Sequence, residues 1–236
     1  MGALHRLVSI CGLVMLAACG GGGSDDGGVM PPADNFAVRT AWANFLTASR
    51  TWSAAGVASN GLGYDITIGV QPGAASVMPI SGIAAARSDT ALRVRENGVI
   101  VSDALSETFF DAATLQLVGV RLTATGGSGV CSLASTAAVP PTTAQIGTGG
   151  TLATLDERNG CLAGSATLGT ATIGWSLEFE AGTSYFCINS TEHDLGGSVL
   201  STESDCVQVS PDGSLGARAR ITITQPGSGF TLTARG

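Results

Sequence analysis

Lysine is missing altogether from these 236 residues, so all eleven basic positions are arginine, set against eighteen Asp and Glu. Charged residues make up only 12% of the chain, about half the share of an ordinary soluble domain. The net charge of -7 excludes the clustered cations on which nucleic-acid binding rests. It also offers no electrostatic pull toward anionic headgroups. Aromatics are scarce, at 5%, which leaves little material for a stacking platform. Histidine, the usual general base near neutral pH, occurs twice, as His5 and His193. Hydrophobic residues still reach 44%, enough to bury a core.

The N-terminus carries an address. A short n-region ending at Arg6 precedes an apolar run, Leu7 to Leu16, too short to span a bilayer core of about 30 Å. Small residues follow, as in a secretory signal. The run Leu16-Ala17-Ala18-Cys19 resembles the lipobox of bacterial lipoproteins. That resemblance implies a signal peptide over residues 1–18, cleavage before Cys19, a diacylglyceryl thioether on Cys19 and acylation of the new amine. Gly20, where inner-membrane lipoproteins of Gram-negative bacteria usually carry Asp, implies sorting to the outer membrane, with the side it faces left open. Several acyl chains anchor stably where one is marginal, so the membrane is an expected partner through lipid alone.

Residues 19–33 read as the lipidated cysteine and a flexible Gly-rich tether, with a root-mean-square span of roughly 20 Å. Cleavage removes Arg6, so ten arginines face eighteen carboxylates in the mature chain, a net of -8. One short helix is expected from about Asn35 to Ser49, with Asp34 as its N-cap and Val38, Trp42, Phe45 and Leu46 on one face. Beyond Trp52 the periodicity becomes two. Tyr64, Ile66, Ile68 and Val70 alternate with polar positions, as do Trp175, Leu177 and Phe179, and Ala219, Ile221 and Ile223. Asn60-Gly61, Asn97-Gly98, Asn159-Gly160 and Asp212-Gly213 supply the positive φ angles of tight hairpins. The expected fold is all-β: antiparallel meander sheets with one short N-terminal helix. Two tandem similar halves are one possibility, over residues 34–125 and 151–236, with 126–150 as a Gly/Pro/Thr linker. A 99-residue offset aligns Arg121 with Arg220 and Thr123 with Thr222, and similar strand composition is the alternative reading.

Cys131, Cys161, Cys187 and Cys206 permit three pairings. Export to an oxidising compartment favours disulfides, with Cys187–Cys206 across a hairpin and Cys131–Cys161 pinning the linker as the preferred set. No pair has the spacing of a zinc knuckle or a redox dithiol.

Chemistry is harder to find. His193 stands in a turn-like Ser190-Thr191-Glu192-His193-Asp194 without a nucleophile elbow. Glu178 and Glu180 share a strand face and suit cross-strand pairing with Arg218 and Arg220 better than acid/base work. Gly61-Leu62-Gly63 lacks the rest of a dinucleotide fingerprint, and Asp156-Glu157-Arg158-Asn159-Gly160 lacks calcium-loop spacing. Trp42, Trp52 and Trp175 suit core positions better than a sugar platform. No catalytic residue, cofactor or metal is therefore expected. The leading expectation is a non-enzymatic, lipid-anchored structural or interaction module of the cell envelope. Its Gly-rich tether and Thr/Gly/Ser-rich β domain resemble those of proteobacterial lipoproteins, which implies no activity. The alternative is a carrier of acyl chains or another apolar ligand. The expected helix before an antiparallel sheet resembles the architecture of outer-membrane lipoprotein-receptor proteins, whose open barrels hold such chains.

Overall fold

In a computed structural model, the structure describes residues 32, 34–124 and 129–236. The expected signal peptide, Cys19 and nearly all of the expected tether lie outside the described residues. Among the described residues one helix, α1 (Val38–Thr47), precedes twelve strands. These are β1 (Arg50–Val57), β2 (Gly63–Val77), β3 (Ala84–Glu96), β4 (Val99–Phe110), β5 (Leu117–Ala124) and β6 (Val130–Ala137). They continue with β7 (Gly149–Arg158), β8 (Thr167–Glu180), β9 (Thr183–Asp194), β10 (Val199–Val209), β11 (Leu215–Gln225) and β12 (Phe230–Arg235). Every strand pairs antiparallel with the next, and β12 returns to β1, closing a barrel.

The period-two pattern decides which face turns inward. Trp52, Ile66, Ile68, Val70, Trp175, Leu177, Ile221 and Ile223 are buried in one continuous core. The alternating Asp65, Thr67, Thr222 and Thr224 point out. Polar residues outside and apolar residues inside reverse the arrangement of barrels that cross a bilayer. The four Asn-Gly and Asp-Gly dipeptides all lie in hairpin connections. At Asn97 and Gly98, φ is 47° and 84°, as a type I′ turn demands.

Three expectations need correcting. The helix is shorter than Asn35–Ser49, and Asp34 does not cap it. Instead Phe36 pairs with Ala144 as a β-bridge, and α1 starts beyond it without a side-chain cap. The linker expected over 126–150 is not one in its described part, since residues 130–150 supply β6 and the start of β7. The two halves form no separate sheets, because β6 pairs with β7 in the same ladder that continues around the barrel.

Helix α1 stops one end of the barrel. Trp42 Nε1 donates to Leu115 O at 3.0 Å, and Asn44 Nδ2 to Gly213 O at 2.9 Å. Arg39 donates through Nε and Nη2 to Pro140 O. The β4–β5, β6–β7 and β10–β11 connections are thereby tied to the plug. At the opposite rim, Val57, Val99, Leu162 and Leu195 are each two thirds or more exposed. A second small core lies outside the barrel wall, where Met78, from the β2–β3 connection, packs on Phe109, Ala85 and Cys131.

Candidate functional site

Strand β10 places two acids inside the barrel. Val207 and Val209 are buried inward, so strand alternation sends Asp205, Glu203 and Ser201 to the lumen and Ser204 and Cys206 outward. Across the ladder on β9, Ser190 stands opposite Glu203, Ile188 opposite Asp205, and Glu192 opposite Ser201. Ser201 Oγ donates to Glu192 Oε2 at 3.0 Å. Glu203 and Asp205 also share a side-chain hydrogen bond. Ser190 is 1% exposed, and its Oγ has no hydrogen-bond partner, nor does the buried Asp205 Oδ1.

Strands β3 and β4 lie six positions around the closed ring from β9 and β10, on the far wall. There Ser88 pairs with Thr108 and Thr90 with Ser106, setting four hydroxyls on the lumen side. Between the acidic wall and the hydroxyl wall lies a cavity of about 130 Å³, roofed by Trp42, Phe45 and Leu46 of α1. Both walls line it, and its remaining surface is aliphatic.

Burial sets the electrostatics. Removal from water raises the Glu203 pKa well above the ordinary carboxylate range, and the negative charges of Asp205 and Glu192 push it the same way. Burial also lifts Asp205 to about 7, opposed by the hydrogen bond from Glu203. Glu157, inward on β7 opposite Ser132, is raised to about 7 by burial. Near neutrality the Glu203–Asp205 pair therefore holds a shared proton and can donate as well as accept. A cation beside it would release that proton.

The outer face is organised differently. Cys187 and Cys206 face each other across β9 and β10 and are joined, and Cys131 on β6 is joined to Cys161 in the β7–β8 connection. Arg220 of β11 lies over the first of these disulfides, with Nη2 3.0 Å from Cys206 Sγ and its guanidinium 5.5 Å from the Tyr185 ring. It reaches past β10 and β9 to pair with Glu178 and Glu180. Arg235 also holds Glu180, and these bonds keep that carboxyl below its usual range. Arg218 instead donates to Thr183 Oγ1. Glu178, Cys187 and Cys206 have ligand atoms within 4.8 Å of one another, but sulfurs bound to each other are not thiolate ligands.

The residues singled out by sequence are thus scattered. His193 lies outward on β9, on the opposite face from Glu192. Trp42, Trp52 and Trp175 are 4% exposed or less and sit in the barrel core. Gly61 and Leu62 lie in the β1–β2 connection and Gly63 opens β2, while Asp156 to Gly160 run off the end of β7. Sequence reading passed over Glu203 and Asp205. The signal was available in the frame they share with Val207 and Val209, which marks both acids as inward. No known family signature matches the chain, and comparison with curated protein sequences and with solved structures found no match.

Proposed function

We propose that this chain is a lipid-anchored barrel of the bacterial outer membrane, tethered through Cys19, that acts by binding a small ligand rather than by catalysis. The carrying observation is the cavity of about 130 Å³ beneath α1, with carboxyls on one wall and hydroxyls on the other. A cavity near 150 Å³ accepts benzene, whereas pockets for larger ligands span about 300–1,000 Å³. The lumen thus suits a molecule of benzene size, and an acyl chain would fit only if α1 left the mouth. A non-catalytic role agrees with His193 on the outer face and with Glu178 and Glu180 held by arginines. The exposed apolar rim opposite α1 favours an additional protein contact there, which crosslinking in intact cells would capture.

Two measurements test the reading. Palmitate labelling is expected in the full chain and lost in Cys19→Ala, so undiminished labelling of the variant overturns the anchor. Benzyl alcohol is expected to raise the melting temperature of the full chain, and no shift with it or with other ligands of benzene size overturns the cavity's role.

A further inference from the structure

We infer, resting on the small-ligand reading above, that the lumen takes a compact organic ammonium ion. Its nitrogen is held by Glu203 and Asp205, and its apolar body lies against Trp42 and Phe45. Four observations carry this. The first is charge: the described residues lining the cavity include two acids and no basic side chain. A barrel interior that buries carboxyls without a countercharge meets a steep desolvation cost, which a bound cation would offset.

The second is unsatisfied polarity. Ser190 Oγ, directly across the ladder from Glu203, and Asp205 Oδ1 are buried without hydrogen-bond partners. Orphaned buried polar atoms are uncommon and call for a specific explanation, and an ammonium group brings two or three donors. The third is the aromatic roof together with the hydroxyl wall. Trp42 and Phe45 stack with ring centroids 6.1 Å apart, and aromatic faces attract cations as well as hydrocarbon. The hydroxyls of Ser88, Thr90, Ser106 and Thr108 can meet a polar substituent at the ligand's other end. The fourth is the contrast with a metal. Among the described residues, Glu203 and Asp205 have no third His, Cys or acidic ligand gathered with them within 4.8 Å. A bare divalent ion requires more ligands than two carboxyls supply.

The titratable group facing the pair from the neighbouring strand is Glu192, already bonded to Ser201. The remaining walls present hydroxyls and hydrocarbon. Binding of an ammonium ion then displaces the proton held between Glu203 and Asp205 into solvent, leaving the carboxyl oxygens to accept from N–H. One carboxyl O–H bond breaks and its proton passes to the buffer; no other covalent bond changes.

The test compares benzylamine, benzyl alcohol and benzoate by calorimetry on the full chain in mild detergent. Benzylamine is expected to bind at least about tenfold tighter than benzyl alcohol, which corresponds to about 1.4 kcal/mol. It is also expected to release protons, seen as a dependence of the heat on buffer ionisation. Asp205→Asn and Glu203→Gln should each abolish that preference and the accompanying proton release. Equal affinities for benzylamine and benzyl alcohol in the unaltered chain, or a preference for benzoate, overturn the cation while leaving the small-ligand reading standing. Absence of binding by all three overturns both.

Discussion

Asp205 keeps a proton that an aspartate in water would have released, because the barrel lumen leaves its charged form unsolvated. Its native pKa of about 7 stands above the 3.8 of the free side chain. Between those values the native state binds more protons than the unfolded chain, so the stability contributed by this group is full in acid and is lost as pH rises. Glu203 and Glu157 shift in the same direction. Chemical denaturation is therefore expected to show a lower midpoint near neutrality than at about pH 5, with a smaller difference in Asp205→Asn. A midpoint that climbs over the same range contradicts the assignment. The residue scale is also where sequence reading had the least purchase. Glu203 and Asp205 differ in no local way from Glu178 and Glu180, another acid pair two residues apart. Only the neighbours Val207 and Val209 on one side, and Arg220 on the other, separate a lumenal pair from an outer one.

At the scale of elements, α1 is both lid and core. Trp42 closes the cavity, stacks on Phe45 and bonds to Leu115 O. Trp42→Ala is expected to cost about 3–5 kcal/mol, the range for truncating a buried aromatic, and to enlarge the lumen so that ligands larger than benzene enter. Thermal unfolding with and without such a ligand reads both effects, and an unchanged melting temperature would show that the helix is not a plug. The helix itself was visible in sequence through Val38, Trp42 and Leu46, all buried in the structure. Its start was not, since Phe36 is claimed by Ala144 through a pairing 108 positions away that local propensity does not report. The same holds for residues 130–137. Gly and Pro on either side suggest a connection, yet the ladders to β5 and β7 draw the segment into the sheet.

For the whole molecule, closure is the decisive event. The β1–β12 seam registers at Ala55 opposite Arg235, with a bridge at Ala58–Leu232, whereas β1 and β2 are in register along the full length of β1. Gly56 sits in that seam, where a Cβ would collide with the Thr233 carbonyl. Gly56→Ala is expected to force the strands apart and destabilise the barrel. Amides of β1 and β12 should already exchange faster than those of β9 and β10 in the unaltered protein, because an opening needs the fewest broken pairs there. Uniform exchange around the ring would count against a weak seam.

Sequence alone determined the antiparallel all-β class, because alternation and positive-φ turn residues act over a few positions. Its preferred cysteine pairs also match the two disulfides, each closing a short stretch of chain. Only the tertiary structure decided that twelve strands form one closed ring, and hence that acids on β10 confront hydroxyls on β3 and β4. That juxtaposition depends on curvature and on a pairing between the two ends of the folded domain, and neither leaves a local pattern in the chain.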